Sequence, residues 1–275
     1  MKIFIDTANI DEIKEAFSWG IVDGVTTNPS LIKKAVNYYK ENGKTVTMEE
    51  YIKELLAFVG KGKPVSLEVI GSTEDAMYKE AHILFDRFNS IASNVVIKIP
   101  VNPETEKGGM HLFDGLKVIR RLHEDGIPVN VTLIMNPLQA LLAAKAGADY
   151  VSPFAGRIDD YLRTNAKIGF EKHDYYPAEG VEWGEKLLSD DGIVSGVDLV
   201  ASIRDIFDNY EFGTKILAAS VRNARQVREL AEVGADIATI PFTVLKEMIW
   251  HYKTSEGMKK FAEDTVEEYR ALFSK

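Results

Sequence analysis

Eight short apolar segments alternate with longer amphipathic ones along the chain, and this alternation restricts the possible folds more than any other feature. The short segments are rich in β-branched residues and are mostly apolar throughout, as in parallel strands covered on both faces. Eight strands separated by helices indicate a (β/α)8 TIM barrel, with an open doubly wound sheet as the alternative. The predicted strands are residues 2–6, 24–27, 65–70, 94–99, 128–133, 149–154, 215–219 and 236–240.

The segments between these strands carry the signals expected of helices. Residues 136–146, for instance, place Pro137 in the first turn, continue with an apolar stripe and stop at Gly147. The chain of 275 residues has the usual size of one α/β barrel, roughly 250 residues. We therefore predict a single barrel domain over residues 1–275, with an extra helix at the C-terminal end.

Three segments depart from the regular alternation. An extension at residues 37–47 lengthens the second crossover. The connection at about residues 155–214 is much longer than the others, and because it begins at the C-terminal ends of the strands it is either a lid or an extra helical layer. The last helix, at residues 255–273, is either a cover for the barrel or a contact to a neighbouring subunit.

Composition excludes several classes of function. The formal net charge is −9, which attracts neither nucleic acid nor an anionic membrane. The absence of cysteine excludes disulfides, thiol nucleophiles and thiolate metal sites, and we expect a cytoplasmic protein. Dinucleotide-binding, P-loop and zinc-protease motifs are absent, and none of the five histidines ends a predicted strand. We therefore expect no metal and no cofactor.

Lys98 is the most unusual polar residue in the predicted strands. Active sites of (β/α)8 barrels are built at the C-terminal ends of the strands, and Lys98 lies near such an end within the apolar sequence NVVIKIP. Burial disfavours an ammonium group, and the uncharged amine is the form that attacks a carbonyl. Alternatively, Lys98 reaches water or pairs with Glu68 or Asp6.

Other polar residues at the strand ends suggest acid–base chemistry and anion binding. Asp6 and Glu68 could divide the proton transfers of a carbon–carbon cleavage, although either could also be a salt-bridge partner or a helix cap. Arg157, Ser220 and Arg222 could form a phosphate clamp, although an arginine after a strand is also commonly a surface ion pair. The remaining strand-end candidates are Thr26, Asn28, Asn130, Thr132 and Ser152.

Six motifs resemble the transaldolase family, particularly its short microbial members and the related fructose-6-phosphate aldolases. They are FIDTANIDEIKEA, DGVTTNPSLI, NVVIKIPV, VNVTLI, YVSPFAGRIDD and AASVRN. The resemblance covers about residues 1–36, 62–160 and 212–250, in that order. The extension at 37–47 and the connection at 161–211 depart from the short members, and both bear on substrate range and on the geometry of a lid.

The resemblance implies a Schiff-base mechanism that moves a dihydroxyacetone unit from a ketose phosphate, such as fructose 6-phosphate, to an aldose phosphate, such as erythrose 4-phosphate. Lys98 would form the imine with the C2 ketone, and Asp6 would take the proton of the C4 hydroxyl as the C3–C4 bond breaks. Glu68 and Thr132 would hold the water that moves protons during imine formation. The family also implies sugar phosphates as small-molecule partners, the pentose phosphate pathway and a homo-oligomer.

Substrate contacts follow from the same resemblance. Those to the dihydroxyacetone unit are implied for Asn28, Asn130 and Ser152, those to the phosphate for Arg157, Ser220 and Arg222, and Thr26 and Phe154 complete the predicted binding site. In the aldolase subgroup, a tyrosine is expected in place of Phe154 and a glutamine in place of Glu68. Both differences favour a transferase over a lyase.

Alternatives to a transaldolase acting on fructose 6-phosphate stay open at this point. One is a lyase, and another is a transaldolase for a six-carbon ketose with a different anionic end group. The long connection supports these two, because it could bring Lys167, Lys172 or His173 over the site. A non-catalytic sugar-phosphate-binding barrel is a third alternative, but the combination of Lys98 with two carboxylates argues against it.

Overall fold

The structure is a closed barrel of eight parallel strands. This computed structural model describes residues 1–41, 43 and 46–274. The strands are β1 (Lys2–Asp6), β2 (Gly24–Thr26), β3 (Val65–Glu68), β4 (Val95–Pro100), β5 (Val129–Ile134), β6 (Tyr150–Pro153), β7 (Glu182–Trp183), β8 (Lys186–Leu187), β9 (Lys215–Ala218) and β10 (Ile237–Ile240). β7 and β8 form a separate antiparallel hairpin, and the other eight close into a barrel where β10 pairs with β1. The predicted TIM barrel is confirmed, and the eight predicted strands are displaced at their ends by at most two residues.

Helices connect the barrel strands, and further helices follow the last of these strands, β10. They are α1 (Ile10–Ser18), α2 (Pro29–Glu41), α3 (Met48–Val59), α4 (Glu74–Ala92), α5 (Asp114–Glu124), α6 (Pro137–Ala146), α7 (Ala155–Asn165), α8 (Gly196–Asn209), α9 (Ala224–Glu232), α10 (Phe242–Ile249), α11 (Tyr252–Glu263) and α12 (Glu267–Arg270). The ends of α6 show how the sequence fixes them. The Asn136 side chain accepts a hydrogen bond from the Gln139 backbone at 2.9 Å, and Gly147 ends the helix with a φ of 100°.

The inside of the barrel is apolar towards the N-terminal ends of the strands and polar towards their C-terminal ends. Ile5 belongs to the core shared with the helices, so alternation along β1 places Phe4 and Asp6 inside the barrel. Phe4 packs against Leu217, and a Cβ at Gly24 would lie 2.7 Å from the Phe4 ring. Gly24 therefore makes room for an aromatic plug beneath the polar end.

The C-terminal segment differs from the single helix predicted for residues 255–273. It consists of α11 and α12, followed by a 3-10 turn at Ala271–Phe273. Residues 264–266, an Asp-Thr-Val sequence of low helix propensity, separate the two helices. No residue of these three elements is buried, so packing does not enforce a continuous helix, and the segment does not cover the barrel.

The long connection between α7 and α8 contains no further helix. A turn at residues 171–174 and the β7–β8 hairpin lie between these helices. Because α7 and α8 themselves belong to the predicted connection at about 155–214, a lid and an extra helical layer both stay predictions for it. In the predicted extension at 37–47, α2 runs to Glu41 and Thr47 caps α3, while residues 42, 44 and 45 lie outside the described residues. Throughout the described part of the chain, no helix combines the length and apolar character needed to cross a membrane.

Candidate active site

A cavity of about 190 Å³ opens at the C-terminal ends of the barrel strands. Nine of the twelve predicted site residues line it, namely Asp6, Thr26, Asn28, Lys98, Ser152, Phe154, Arg157, Ser220 and Arg222. The other three, Glu68, Asn130 and Thr132, are not among the lining residues but surround the lysine from neighbouring strands. The position of polar residues at strand ends therefore locates the cavity well.

Lys98 is the most buried of the cations that line this site. Its side chain is only 8% exposed, and Nζ lies 3.1 Å from Oε2 of Glu68. Glu68 and Lys98 are register partners on β3 and β4, which explains why their side chains meet. Lys98 Nζ also donates a hydrogen bond to the Thr27 carbonyl at 3.4 Å. The amine is thus positioned by two oxygen atoms, one of which belongs to a carboxylate.

Asp6 forms the second titratable centre of the cavity. Thr26 Oγ1 donates a hydrogen bond to Asp6 Oδ1 at 2.9 Å, and the hydroxyls of Thr26 and Thr239 are hydrogen-bonded to each other. Burial raises the pKa of Asp6 above its ordinary value, although the positive charge of Lys98 and the bond from Thr26 act in the opposite direction. A carboxyl group with a raised pKa exchanges protons more readily near neutral pH, which suits acid–base chemistry.

Asn130 lies in a buried polar layer behind the cavity lining. Its Nδ2 donates to Ser66 Oγ at 3.2 Å, and Ser152 Oγ donates to its Oδ1 at 2.7 Å. Ser152 lines the cavity, so Asn130 orients a lining residue through this bond. Thr132 is fully buried, and its Oγ1 finds no hydrogen-bond partner among the described residues, which leaves it able to bond a water molecule.

Asn28 caps the start of a helix and also lines the cavity. Its Oδ1 accepts a hydrogen bond from the backbone of Leu31 at 3.0 Å, at the start of α2. Because the side-chain oxygen is used in this way, the orientation of the amide is fixed. The Nδ2 group remains able to donate to a molecule in the cavity.

The opposite wall of the cavity is basic. Arg222 Nη2 forms an ion pair with Asp160 Oδ2 at 2.6 Å. Arg157 is exposed, and its guanidinium carbon lies 4.9 Å from the centre of the Phe154 ring. The same ring lies 6.0 Å from Lys98 Nζ, so Phe154 is close to both cations. The site therefore has a lysine–carboxylate end and a basic end.

Close backbone packing brings the two arginines to one wall. α7 begins beside the end of β9, and a Cβ at Gly156 would lie 2.2 Å from the Ser220 carbonyl and 2.7 Å from Arg222. Only glycine permits this approach. Ser220 itself has a φ of 61°, a left-handed conformation that is uncommon outside glycine and that concentrates at functional sites.

Three residues of the site, Ser66, Asp160 and Thr239, were not predicted from the sequence. A fourth, Lys172, was named as a candidate without an assigned partner. Thr239 lies in β10, where inward alternation could have identified it, because this strand contributes to the cavity lining as β1, β2, β4 and β6 do. Ser66 could have been found in the same way on β3. Asp160 and Lys172 depend on long-range packing, which no local pattern reveals. Among the described residues, no group of three histidines, aspartates or glutamates could hold a metal ion.

The fold and the site together define a class of protein. It is a (β/α)8 barrel with a lysine–carboxylate pair near the C-terminal ends of its strands and with arginines in the wall of the same cavity. The sequence profile of the transaldolase/fructose-6-phosphate aldolase family matches residues 3–274. This chain belongs to that family.

Relatives that match nearly the whole chain are named as members of the same family. A probable transaldolase of Thermoplasma volcanium is 44% identical over 96% of this chain and 95% of its own length, and one of Aquifex aeolicus is 42% identical over 96% of each. A probable transaldolase of Kosmotoga olearia is 42% identical over 98% of each chain. A solved mandelate oxidase mutant matches with a TM-score of 0.48 at 14% identity, over 88% of this chain and 64% of its own, which is too weak to inform function.

Proposed function

We propose that this protein is a transaldolase that moves a dihydroxyacetone unit from a ketose phosphate, such as fructose 6-phosphate, to an aldose phosphate, such as erythrose 4-phosphate, through a Schiff base on Lys98. One observation carries the proposal. Lys98 is nearly buried, lies 3.1 Å from Glu68, and shares its cavity with Asp6 and two arginines. These groups are the ones that an imine-forming cleavage of a sugar phosphate requires.

Imine formation begins with a proton transfer from Lys98 to Glu68, which leaves the amine free to attack the C2 carbonyl of the ketose. The carbinolamine that forms loses its hydroxyl as water and becomes a protonated imine. Glu68 supplies the proton to the departing hydroxyl, and the unpaired hydroxyl of Thr132 is available to hold the water nearby.

Cleavage moves an electron pair into the protonated imine and neutralises its positive charge. The Asp6 carboxylate takes the proton of the C4 hydroxyl, the C4–O bond becomes the carbonyl of the departing aldose phosphate, and the electrons of the C3–C4 bond form an enamine on Lys98. The enamine then attacks the aldehyde carbon of the acceptor, whose oxygen receives the proton from Asp6. Water finally releases the new ketose phosphate from Lys98, and the free lysine is restored.

A lyase, or a transaldolase for a six-carbon ketose with another anionic end group, is the second candidate. Lys172 favours keeping it, because this residue of the long connection lines the cavity and adds a cation to its basic wall. Phe154 and Glu68 favour the transferase. The two activities separate by acceptor dependence, since a transaldolase releases its three-carbon unit slowly until an aldose phosphate is added.

The direct test is intact mass after incubation with fructose 6-phosphate and reduction with borohydride, followed by mapping of the modified peptide. We expect a dihydroxyacetone-sized adduct on Lys98 and none in the Lys98→Met variant. An adduct on another lysine, or a folded protein that gives no adduct with any ketose phosphate, would contradict the Schiff-base assignment.

A homo-oligomer in the cytoplasm, within the pentose phosphate pathway, completes the proposal. The C-terminal segment supports self-association, because Met258 and Phe261 on α11 are 63% and 70% exposed and Phe273 is 75% exposed. Light scattering on the full chain and on a chain that ends at Trp250 tests the assembly. We expect the shortened chain to form an assembly with fewer subunits, and an unchanged number of subunits would contradict a role of this segment.

A further inference from the structure

The connection between α7 and α8 carries a positive charge into the cavity. Lys172 lines the same cavity as Arg157, Ser220 and Arg222, although it lies in a turn of the long connection and not at the end of a barrel strand. A lysine in a free loop would lose much conformational entropy on holding one position there, so the question is whether this turn is fixed.

The turn at residues 171–174 is closed by its own hydrogen bonds and held by α7. The backbone N–H of Glu171 donates to Asp174 Oδ2 at 2.7 Å, and the N–H of Asp174 donates to the Glu171 carbonyl at 3.0 Å. Arg163 of α7 donates to the Asp174 carbonyl at 3.2 Å and to the Tyr175 carbonyl at 2.6 Å. Arg163 is 6% exposed, so these bonds lie mostly out of water.

α9 holds the turn from the other side. Asn223 Nδ2 donates to the His173 carbonyl at 3.2 Å, and the Tyr175 hydroxyl donates to Glu229 Oε1 at 2.9 Å. The Arg225 guanidinium stacks 3.7 Å above the Tyr175 ring. α7 and α9 are also the helices that follow Phe154 and Arg222, so the same two elements position Lys172 and the arginines.

The charges of the basic wall explain what Lys172 adds. Arg222 is neutralised by Asp160 at 2.6 Å, whereas Arg157 and Lys172 have no ion-pair partner among the described residues. Without Lys172, the wall would present one uncompensated positive charge. With Lys172 it presents two, which matches the charge of about −1.5 to −2 that a phosphate monoester carries near pH 7.

We propose that Lys172 is a specificity-determining residue that selects donors whose far end is a doubly charged oxyanion, a phosphate monoester, over donors with a singly charged or neutral end. The inference rests on the proposed function, since it assigns the charge of the donor for the same site. Lys172 contacts the anion directly and takes no part in the chemistry at Lys98.

The test compares fructose 6-phosphate with fructose 6-sulfate, a singly charged end group of similar shape, in the full-length enzyme. Lys172→Ala should lower kcat/KM for the phosphate about tenfold, mainly through KM, and should lower it far less for the sulfate. Lys172→Arg should restore part of the preference. Lys186→Ala, which removes an exposed lysine of the β7–β8 hairpin in the same connection, is the matched control and should change neither substrate.

Two results would overturn the proposal. An equal loss for both substrates would mean that Lys172 acts through the stability of the turn, and no loss for either would mean that it does not contact the anion. Failure of the proposed function itself is recognised separately, because the wild-type protein would then give no borohydride-trapped adduct with dihydroxyacetone, which has no anionic end. In that event, calorimetric binding of inorganic phosphate, weaker in Lys172→Ala but unchanged in Lys186→Ala, still decides the role of Lys172.

Discussion

The two ends of the barrel interior are built from the same strands and serve opposite purposes. On β1, Phe4 is 2% exposed and packs against Leu217 and Ile237, whereas Asp6, two residues further along, lines the cavity. The apolar end buries side chains that need no hydrogen-bond or ion-pair partner. The polar end holds the titratable groups Asp6 and Lys98, and burial raises the pKa of Asp6.

This difference shows how the barrel stays folded although its cavity buries charged groups. Burying Asp6 and Lys98 is unfavourable, and the ion pair with Glu68 and the bond from Thr26 offset only part of that penalty. The plug around Phe4 supplies stability in a region that does no chemistry. Substitutions at the two ends should therefore separate activity from stability.

The largest expected effect is on activity, at the polar end. Lys98→Met should reduce transfer by at least on the order of 10³-fold, because it removes the nucleophile, while the unbranched apolar side chain keeps the barrel folded. Steady-state assay and circular dichroism measure the two quantities. Lys186→Met on the exposed hairpin is the control. A Lys98→Met variant that retains most of its activity would disprove the mechanism.

The next effect is on stability, at the apolar end. Phe4→Ala should lower the free energy of unfolding by about 3–5 kcal/mol, because it empties the space beside Gly24, and should leave kcat near the wild-type value. Urea unfolding and assays below the melting temperature measure this. Ile249→Ala, at an 86% exposed position, is the control for a large apolar truncation. A large fall in kcat would show that the two ends are not independent.

A smaller effect is expected at the basic wall. Arg157→Ala should weaken phosphate-bearing substrates by about 1.5 kcal/mol, close to tenfold, because it removes a charge-assisted hydrogen bond. Arg222→Ala should weaken them by at least as much, and it also leaves Asp160 without its ion-pair partner, so Arg157→Ala is the cleaner measurement. Equal losses for phosphorylated and unphosphorylated donors would make these arginines structural.

The smallest effect is a pH dependence of stability that originates at Asp6. Because the pKa of Asp6 is raised in the fold, the unfolded chain ionises first as pH rises through about 3.8, and the free energy of unfolding falls until the folded carboxyl also ionises. Asp6→Asn should remove this contribution and should also lower activity. The free energy of unfolding of the variant, relative to that of the wild type, should therefore be higher at pH 7 than at pH 4. Urea unfolding of both proteins at both pH values measures this difference. If the two proteins change in stability by the same amount between pH 4 and pH 7, the assignment to Asp6 is contradicted.

The barrel was predictable from sequence because its signals are local. Each strand is a short apolar run, and polar residues at the strand ends were enough to identify Asp6, Lys98 and the arginines as candidates. The resemblance supplied roles, and the family is now shown, but the imine itself stays a prediction. Periodicity alone was misleading at the C-terminal end, where apolar spacing continues across residues 264–266 although nothing packs there to hold one helix.

Other parts of the site could not be predicted because distant segments determine them. The partnership of Arg222 with Asp160 depends on the approach of α7 to the end of β9, which Gly156 permits. Likewise, the sequence alone made Lys167, Lys172 and His173 equal candidates to reach the site. Only Lys172 of these lines the cavity, because α7 and α9 hold its turn.

The position of Phe154 links the two ends of the site. The centre of its ring lies 6.0 Å from Lys98 Nζ and 4.9 Å from the guanidinium carbon of Arg157, so both cations lie within the range of a cation–π interaction with one ring. A substitution that moves or removes this ring would therefore act on the lysine and on the arginine together. The two ends of the cavity are coupled through a single aromatic side chain.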